Sequence, residues 1–135
     1  MYTIKTKENG FSLEIIFTIY DTDENLMLGT MIIHVVSDDF SAKTTMEVSA
    51  YDVAAFARDL NHLYELLSGT ATLTEAFSFS NNSKIQFIAI ERGYIEVKGK
   101  LTEGFQTLIF DNAFDQTYLK DFATDLYHDY KQYLK

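Results

Sequence analysis

The sequence predicts an α+β fold of predominantly antiparallel β-structure, with about eight strands and two amphipathic helices in the order ββββαββββα. Most of the 135 residues alternate between apolar and polar with a period of two, which is typical of strands with one face on a core and one face in water. Two segments instead repeat apolar residues at intervals of three and four, which indicates helices. No linker or compositional break divides the chain, so we expect a single domain over residues 1–135.

The first four strands are predicted near residues 2–7, 11–19, 28–37 and 40–48. In the last of these, five residues share the side expected to face the core: Phe40, Ala42, Thr44, Met46 and Val48. The first helix follows Ser49, and Asp52 three residues later gives nearly the spacing of a capping box. Gly69 lies just past its last apolar residue, where we expect it to form a left-handed C-terminal cap.

The second half repeats this plan. Strands are predicted near residues 70–77, 84–91, 94–101 and 105–111, and the short connections at Arg92-Gly93 and Glu103-Gly104 predict a tight antiparallel meander. The second helix is predicted to begin near Asp115. Its apolar stripe contains Leu119, Phe122, Ala123, Leu126, Tyr130 and Leu134.

The two helices resemble each other at an offset of 66 residues. Six pairs are identical: Phe56/Phe122, Ala57/Ala123, Asp59/Asp125, Leu60/Leu126, His62/His128 and Tyr64/Tyr130. Two explanations are open. Convergence of two amphipathic helices would explain the apolar matches, whereas a duplication that left pseudo-symmetric halves would also explain the matching Asp and His.

Composition excludes several classes of function. The chain has no cysteine, which excludes disulfide scaffolds, thiolate metal sites and cysteine nucleophiles. No apolar run approaches the ~18 residues that span a bilayer, and the N-terminus reads directly into a strand, so we expect a soluble, cytoplasmic protein without membrane association. The net charge of −9 disfavours direct nucleic-acid binding and favours encounter with a basic partner.

Catalytic and metal-binding motifs are missing from the sequence. His34, His62 and His128 have no metal-ligand spacing, the glycines form no phosphate-binding loop, and there is no Gly-x-Ser-x-Gly elbow. We therefore predict a protein that is not an enzyme and that uses no cofactor or metal.

An acidic stripe distinguishes the second helix. Asp121, Asp125 and Asp129 recur every four residues on one exposed face, where like charges cost about 0.2–0.5 kcal/mol per pair. The simple interpretation is a solvated face, and the functional alternative is a docking surface for basic residues of a partner.

The segment Asp115-Gln116-Thr117-Tyr118-Leu119-x-x-Phe122 resembles the C-terminal signature of the WapI family of bacterial immunity proteins. The upstream pattern agrees, because Val48-Ser49-Ala50-Tyr51-Asp52 opens a helix that ends in Leu63-Tyr64-Glu65-Leu66-Leu67-Ser68-Gly69. The resemblance spans nearly the whole chain. It implies a non-catalytic immunity protein of a contact-dependent inhibition system, which neutralises a basic, nuclease-like toxin by occluding its substrate site.

For such a protein we predict a partner-binding surface on the acidic stripe, with Tyr127 as an aromatic anchor beside it. The second choice is a set of acidic loop residues, namely Asp23, Glu24, Asp38 and Asp39. Two alternatives stay open. One is a small enzyme or ligand-binding domain with a pocket between sheet and helices; the other is an assembly subunit that pairs through a sheet edge. The sequence leaves the oligomeric state open.

Overall fold

The strands and helices follow one another in the order ββββαββββα in the computed structural model, which describes residues 1–8, 10–76 and 83–135. Two four-stranded antiparallel sheets form, and in each sheet every strand pairs with its neighbour in the sequence. The first sheet contains β1 (Tyr2–Lys5), β2 (Phe11–Asp21), β3 (Leu28–Ser37) and β4 (Phe40–Ser49). The second contains β5 (Thr70–Thr74), β6 (Lys84–Ala89), β7 (Tyr94–Glu103) and β8 (Gln106–Asp115). The predicted fold class and element order are confirmed.

The strand bounds predicted from the sequence differ from these by a few residues. The strand predicted over 70–77 ends at Thr74, and residue 77 lies outside the described residues. The last strand, β8, continues to Asp115 instead of ending at residue 111. The meander predicted through the second half is confirmed, with turns that contain Gly93 and Gly104 at positive φ.

Each half of the chain has a side-chain cap directly after its fourth strand, one opening a helix and the other a 3-10 turn. The first helix, α1 (Ala50–Leu66), is capped by the Ser49 side chain, which accepts a hydrogen bond from the Asp52 N–H at 3.0 Å. In the second half the Asp115 carboxylate accepts from the Thr117 N–H at 2.9 Å and opens a 3-10 turn. The second helix, α2 (Lys120–Tyr130), follows that turn, five residues later than predicted.

The predicted glycine cap of α1 is wrong. Leu67 takes the left-handed conformation, with φ 51°, and its N–H donates to the Leu63 carbonyl at 2.9 Å. Gly69 also has a positive φ, of 94°, but it lies at the entrance to β5. A non-glycine residue in this conformation costs about 1 kcal/mol or more, so the local turn geometry must be held by the packing of the strand that follows.

The β3–β4 and β7–β8 hairpins have the same register at an offset of 66 residues. Leu28 pairs with Ser49 as Tyr94 pairs with Asp115, and both hairpins close through a two-residue turn. This is the same offset that relates the two helix sequences. The two halves of the chain therefore correspond in backbone pairing as well as in helix sequence.

The two helices pack against each other at matching positions. Ala57 of α1 and Ala123 of α2 are fully buried. The Asn61 side chain donates to both of their carbonyl oxygens, at 2.9 Å and 2.7 Å respectively. Small residues let helix backbones approach closely, and here the approach lets one amide bridge both helices. Within the described residues, neither helix has the length and apolarity needed to cross a bilayer.

Aromatic rings join the two halves through one core. The ring of Phe87, on β6, is fully buried, and its centroid lies 5.9 Å from that of Phe56, 6.4 Å from that of Phe114 and 6.2 Å from that of Phe122. Phe114 in turn stacks on Phe11 of β2 at 5.9 Å. Both sheets and both helices therefore contribute to the same aromatic cluster.

Truncation of Phe87 tests the importance of this cluster. We expect Phe87→Ala to lower the free energy of unfolding by about 3–5 kcal/mol, because it removes a buried ring and leaves a cavity. Phe105→Ala is the matched control, because that ring is fully exposed, and it should change stability by less than about 0.5 kcal/mol. Guanidinium denaturation would measure both values, and equal effects of the two substitutions would contradict the assignment of the core.

Candidate protein-binding surface

The acidic stripe lies on the exposed side of α2. Asp121, Asp125 and Asp129 are all exposed. Asp121 belongs to the first helical turn, where the helix dipole favours a negative charge. At the other end of the stripe, the Asp129 carboxylate accepts a hydrogen bond from the Tyr2 hydroxyl. Asp121 and Asp125 are therefore the members of the stripe that point to solvent without this tie to β1.

The contact between Tyr2 and Asp129 holds the C-terminal end of α2 against the edge of the first sheet. The Tyr2 ring also lies 6.2 Å from the ring of Tyr130, which contacts Phe17 of β2 at 5.6 Å. Partial burial, together with the Asp129 carboxylate, raises the pKa of the Tyr2 hydroxyl well above its ordinary value of 10.0. The hydroxyl is therefore neutral at physiological pH and acts as a donor.

Tyr127 does not lie beside the acidic stripe. At about 100° per residue, Tyr127 falls on the opposite flank of α2 from Asp125. It is half-buried and lines a shallow depression of about 280 Å³ with four residues of α1: Arg58, Asn61, His62 and Glu65. The structure therefore separates the predicted aromatic anchor from the charges that it was expected to support.

The two predicted acidic loops lie at opposite ends of the first sheet. Asp23 and Glu24 belong to the β2–β3 connection, whereas Asp38 and Asp39 form the β3–β4 turn. The strand between them has ten residues, which corresponds to about 30 Å at ~3.3 Å per residue. Both pairs are exposed. A single flat partner surface would have to be larger than an ordinary interface to contact both pairs at once.

The Asp-Gln-Thr-Tyr segment forms one wall of a surface cleft. The cleft has a volume of about 520 Å³ and is lined by Glu8, Tyr94, Asp115, Thr117 and Tyr118. The Tyr118 hydroxyl donates to the Glu8 carboxylate at 3.0 Å. The segment thus connects the end of β8 to the β1–β2 connection, and Leu119 behind it is fully buried. Sequence reasoning identified this segment but not Glu8 or Tyr94, which are distant in the chain.

A second concavity, the hairpin groove, lies between the start of β4 and the tip of the β7–β8 hairpin. Its volume is about 470 Å³, and its lining includes Phe40, Ala42, Leu101 and Leu108. Phe40 shares a face of β4 with the buried Thr44, Met46 and Val48, as the alternation predicted, but its own side chain is 67% exposed instead of packed in the core. At this end the β3–β4 hairpin extends beyond the core. Its inward-facing side therefore lines the groove there instead of packing into the interior.

The three histidines lie on three different elements, namely β3, α1 and α2. His34 lies on the outward face of the first sheet, where its cross-strand neighbours are Glu14 and Lys43. His62 and His128 are exposed on α1 and α2 respectively. In residues 1–8, 10–76 and 83–135, no group of three or more histidine or acidic side chains is placed to hold a metal ion.

Aromatic side chains occupy the centre of the space between the sheets and the helices in the described part of the structure. This is the place where a small enzyme or ligand-binding domain would need its pocket. The rings of Phe56, Phe87, Phe114 and Phe122 occupy it, and all four are buried. The cleft and the hairpin groove instead open on the surface, which is the location that suits contact with another protein.

The fold is a two-sheet α+β arrangement, and the cleft and the hairpin groove open on its surface. The sequence matches the model of the immunity protein WapI-like family over residues 3–134, and the chain belongs to that family. No curated protein is similar enough in sequence to match. The family predicted from the Asp-Gln-Thr-Tyr-Leu segment and the helix pattern is therefore confirmed.

Two solved structures are similar to this one. The plant transcriptional regulator PBF-2 superposes with a TM-score of 0.52 at 8% sequence identity, covering 98% of this chain and 80% of that chain. The MRP1/MRP2 structure from Trypanosoma bruciei has a TM-score of 0.41 at 15% identity, covering 87% of this chain and 84% of that chain. The likeness to PBF-2 shows a shared fold alone.

Removal of the Tyr2 hydroxyl tests the tie between β1 and α2. Tyr2→Phe keeps the ring and should lower the free energy of unfolding by about 1 kcal/mol at neutral pH, because it deletes the hydrogen bond to Asp129. Tyr64→Phe is the control, since the described part of the structure shows no hydrogen bond from that hydroxyl.

The pH dependence of stability tests the same contact between Tyr2 and Asp129 in a second way. The pKa of Tyr2 is higher in the folded protein than in the unfolded chain, so the unfolded chain loses this proton first as the pH rises. The stabilisation is therefore complete below about pH 10 and declines above it. Thermal unfolding followed from about pH 8 to 11 should show a steeper loss for the wild type than for Tyr2→Phe. Parallel curves would contradict this account.

Proposed function

We propose that this chain is a non-catalytic immunity protein that binds a cognate toxin domain and neutralises it by covering the toxin's substrate site. The observation that carries the proposal is membership of the WapI-like immunity family over residues 3–134. Immunity proteins of such a family act on a protein toxin. Binding alone is sufficient for neutralisation, because a toxin whose substrate site is covered cannot turn over.

The charge of the chain supports a basic toxin of the nuclease type. A nuclease must attract a polyanion, so its substrate site carries positive charge. The net charge of −9 attracts such a surface over distances of about a Debye length, and it raises the rate of encounter. Since a nuclease toxin finds its substrate in the cytoplasm, the immunity protein would act there as well.

The exposed acidic stripe is suited to the encounter step. Asp121 and Asp125 have exposed carboxylates on one face of a helix that the core and the Tyr2 contact hold in place. Charges at the rim of an interface mainly change the association rate and its dependence on salt. We assign them this steering role in toxin binding.

Neutralisation is tested with candidate toxin domains of the nuclease type, beginning with any that is encoded beside the gene of this chain. Co-expression should restore growth of cells that produce the toxin domain, and the purified proteins should form a complex that elutes as one species in size-exclusion chromatography. Inhibition of the toxin should be stoichiometric, because occlusion removes one toxin per immunity protein. Absence of a complex would contradict the proposal, and protection at far less than one equivalent would indicate catalysis instead.

Charge reversal tests the steering role of the stripe. Asp121→Lys/Asp125→Lys should slow association with the toxin domain about tenfold at low salt, with a smaller difference at high salt. Glu91→Lys/Asp111→Lys makes the same change in net charge at two other exposed positions, one in the turn between β6 and β7 and one in β8. Stopped-flow association rates would separate the two. Equal slowing by both pairs would show that net charge alone is responsible, and unchanged rates for the first pair would remove the stripe from the interface.

A further inference from the structure

Two exposed phenylalanines mark the hairpin groove. Phe40 follows the β3–β4 turn and lines the groove, and Phe105 lies in the β7–β8 turn, between two residues that line it. Phe40 is 67% exposed and Phe105 is fully exposed. Single exposed apolar residues are common, but an exposed ring that lines a concavity, with a second exposed ring in the adjoining turn, is typical of a protein interaction site.

The groove is fixed before any partner arrives. The Thr44 hydroxyl lies 2.7 Å from the carbonyl oxygen of Thr102 and 2.6 Å from the carboxylate of Glu103, within hydrogen-bond distance of both. Thr44 is buried, so this contact connects the two sheets through a region shielded from water. A preformed groove loses little conformational entropy on binding, which favours affinity.

The charges around the groove select the partner. Asp38 and Asp39 directly precede Phe40 and are exposed, and Glu103 lines the groove. Among the described residues, Lys43 is the one basic residue that lines it. Three carboxylates against one ammonium group give this surface a negative potential, which complements a partner whose apolar contact residue is surrounded by lysine and arginine.

We propose that the hairpin groove is the site where the toxin partner docks, with an apolar side chain of the toxin packed against Phe40 in the groove and against Phe105 beside it, and with basic toxin residues paired with Asp38 and Asp39. This inference rests on the proposed immunity function and adds the location of the contact. Binding energy at protein interfaces concentrates in a few buried aromatic and charged residues, and acidic residues surround the aromatic ones here.

The acidic stripe of α2 does not offer the same combination. Its aromatic neighbour on the helix, Tyr127, faces α1, and Asp129 is engaged by Tyr2. The stripe supplies charge, whereas the groove supplies charge and exposed aromatic area together. We therefore expect substitutions in the stripe to change the association rate and substitutions in the groove to change the lifetime of the complex.

The test replaces both aromatic rings by small polar residues. Phe40→Thr/Phe105→Ser should weaken binding of the toxin domain by about 30-fold or more, mainly through faster dissociation, as for the loss of interface anchors. Because both rings are exposed, the melting temperature should stay within about 3 °C of the wild type. Leu66→Ser is the control, since Leu66 is 70% exposed, ends α1 and is not among the residues that line the groove. It should leave affinity unchanged.

The outcomes separate this inference from the proposed function. Wild-type protein that binds the toxin domain, together with a double variant that binds it equally well, would overturn the docking site and leave the immunity function intact. A wild type that binds no toxin domain would overturn both. If the wild type instead forms a dimer in sedimentation that the double variant abolishes, the groove is a contact between two copies and the docking site is wrong. Protection of residues 38–43 and 101–108 from hydrogen exchange in the complex would support it directly.

Discussion

The contact of the Phe87 ring with rings from α1, α2 and β8 is the constraint on which the rest of the molecule depends. Because one set of aromatic side chains fills the space between the two sheets, the helices must lie side by side over it. In the described part of the chain these rings occupy the centre of the space between the sheets and the helices. The cleft at the Asp-Gln-Thr-Tyr segment and the hairpin groove both open on the surface.

The structure supports the correspondence between the two halves of the chain. Two amphipathic helices can converge on similar apolar positions, but convergence of helices does not require that the preceding hairpins share a register at the same offset of 66 residues. A duplication accounts for both. The side-chain caps Ser49 and Asp115 also correspond at this offset. The equivalent turns, Asp38-Asp39 and Gly104-Phe105, have diverged, and it is there that the proposed docking site lies.

The sequence predicted the elements well, because period and capping residues are local properties of the chain. It did not predict features that depend on where the core ends. Phe40 has the alternation of a buried residue, yet the hairpin carries it beyond the interior. Leu67 takes the left-handed backbone conformation that the sequence pattern predicted for Gly69. The partners of the cleft, Glu8 and Tyr118, are about a hundred residues apart, and Tyr127 turned toward α1 because the helices pack together. Each of these outcomes follows from tertiary packing, which local patterns do not encode.

The meander arrangement of both sheets also bears on how the chain reaches this structure. Every strand pairs with a strand next to it in the sequence. Each pairing therefore closes only a short loop and costs little conformational entropy. The chain contains no proline, so no prolyl isomerisation, with its delay of tens of seconds, stands between synthesis and the native state. Refolding followed by fluorescence should accordingly lack a slow phase of that duration. Rapid maturation would be a direct benefit of this topology for the proposed function, because an immunity protein has to be ready before a toxin enters the cell.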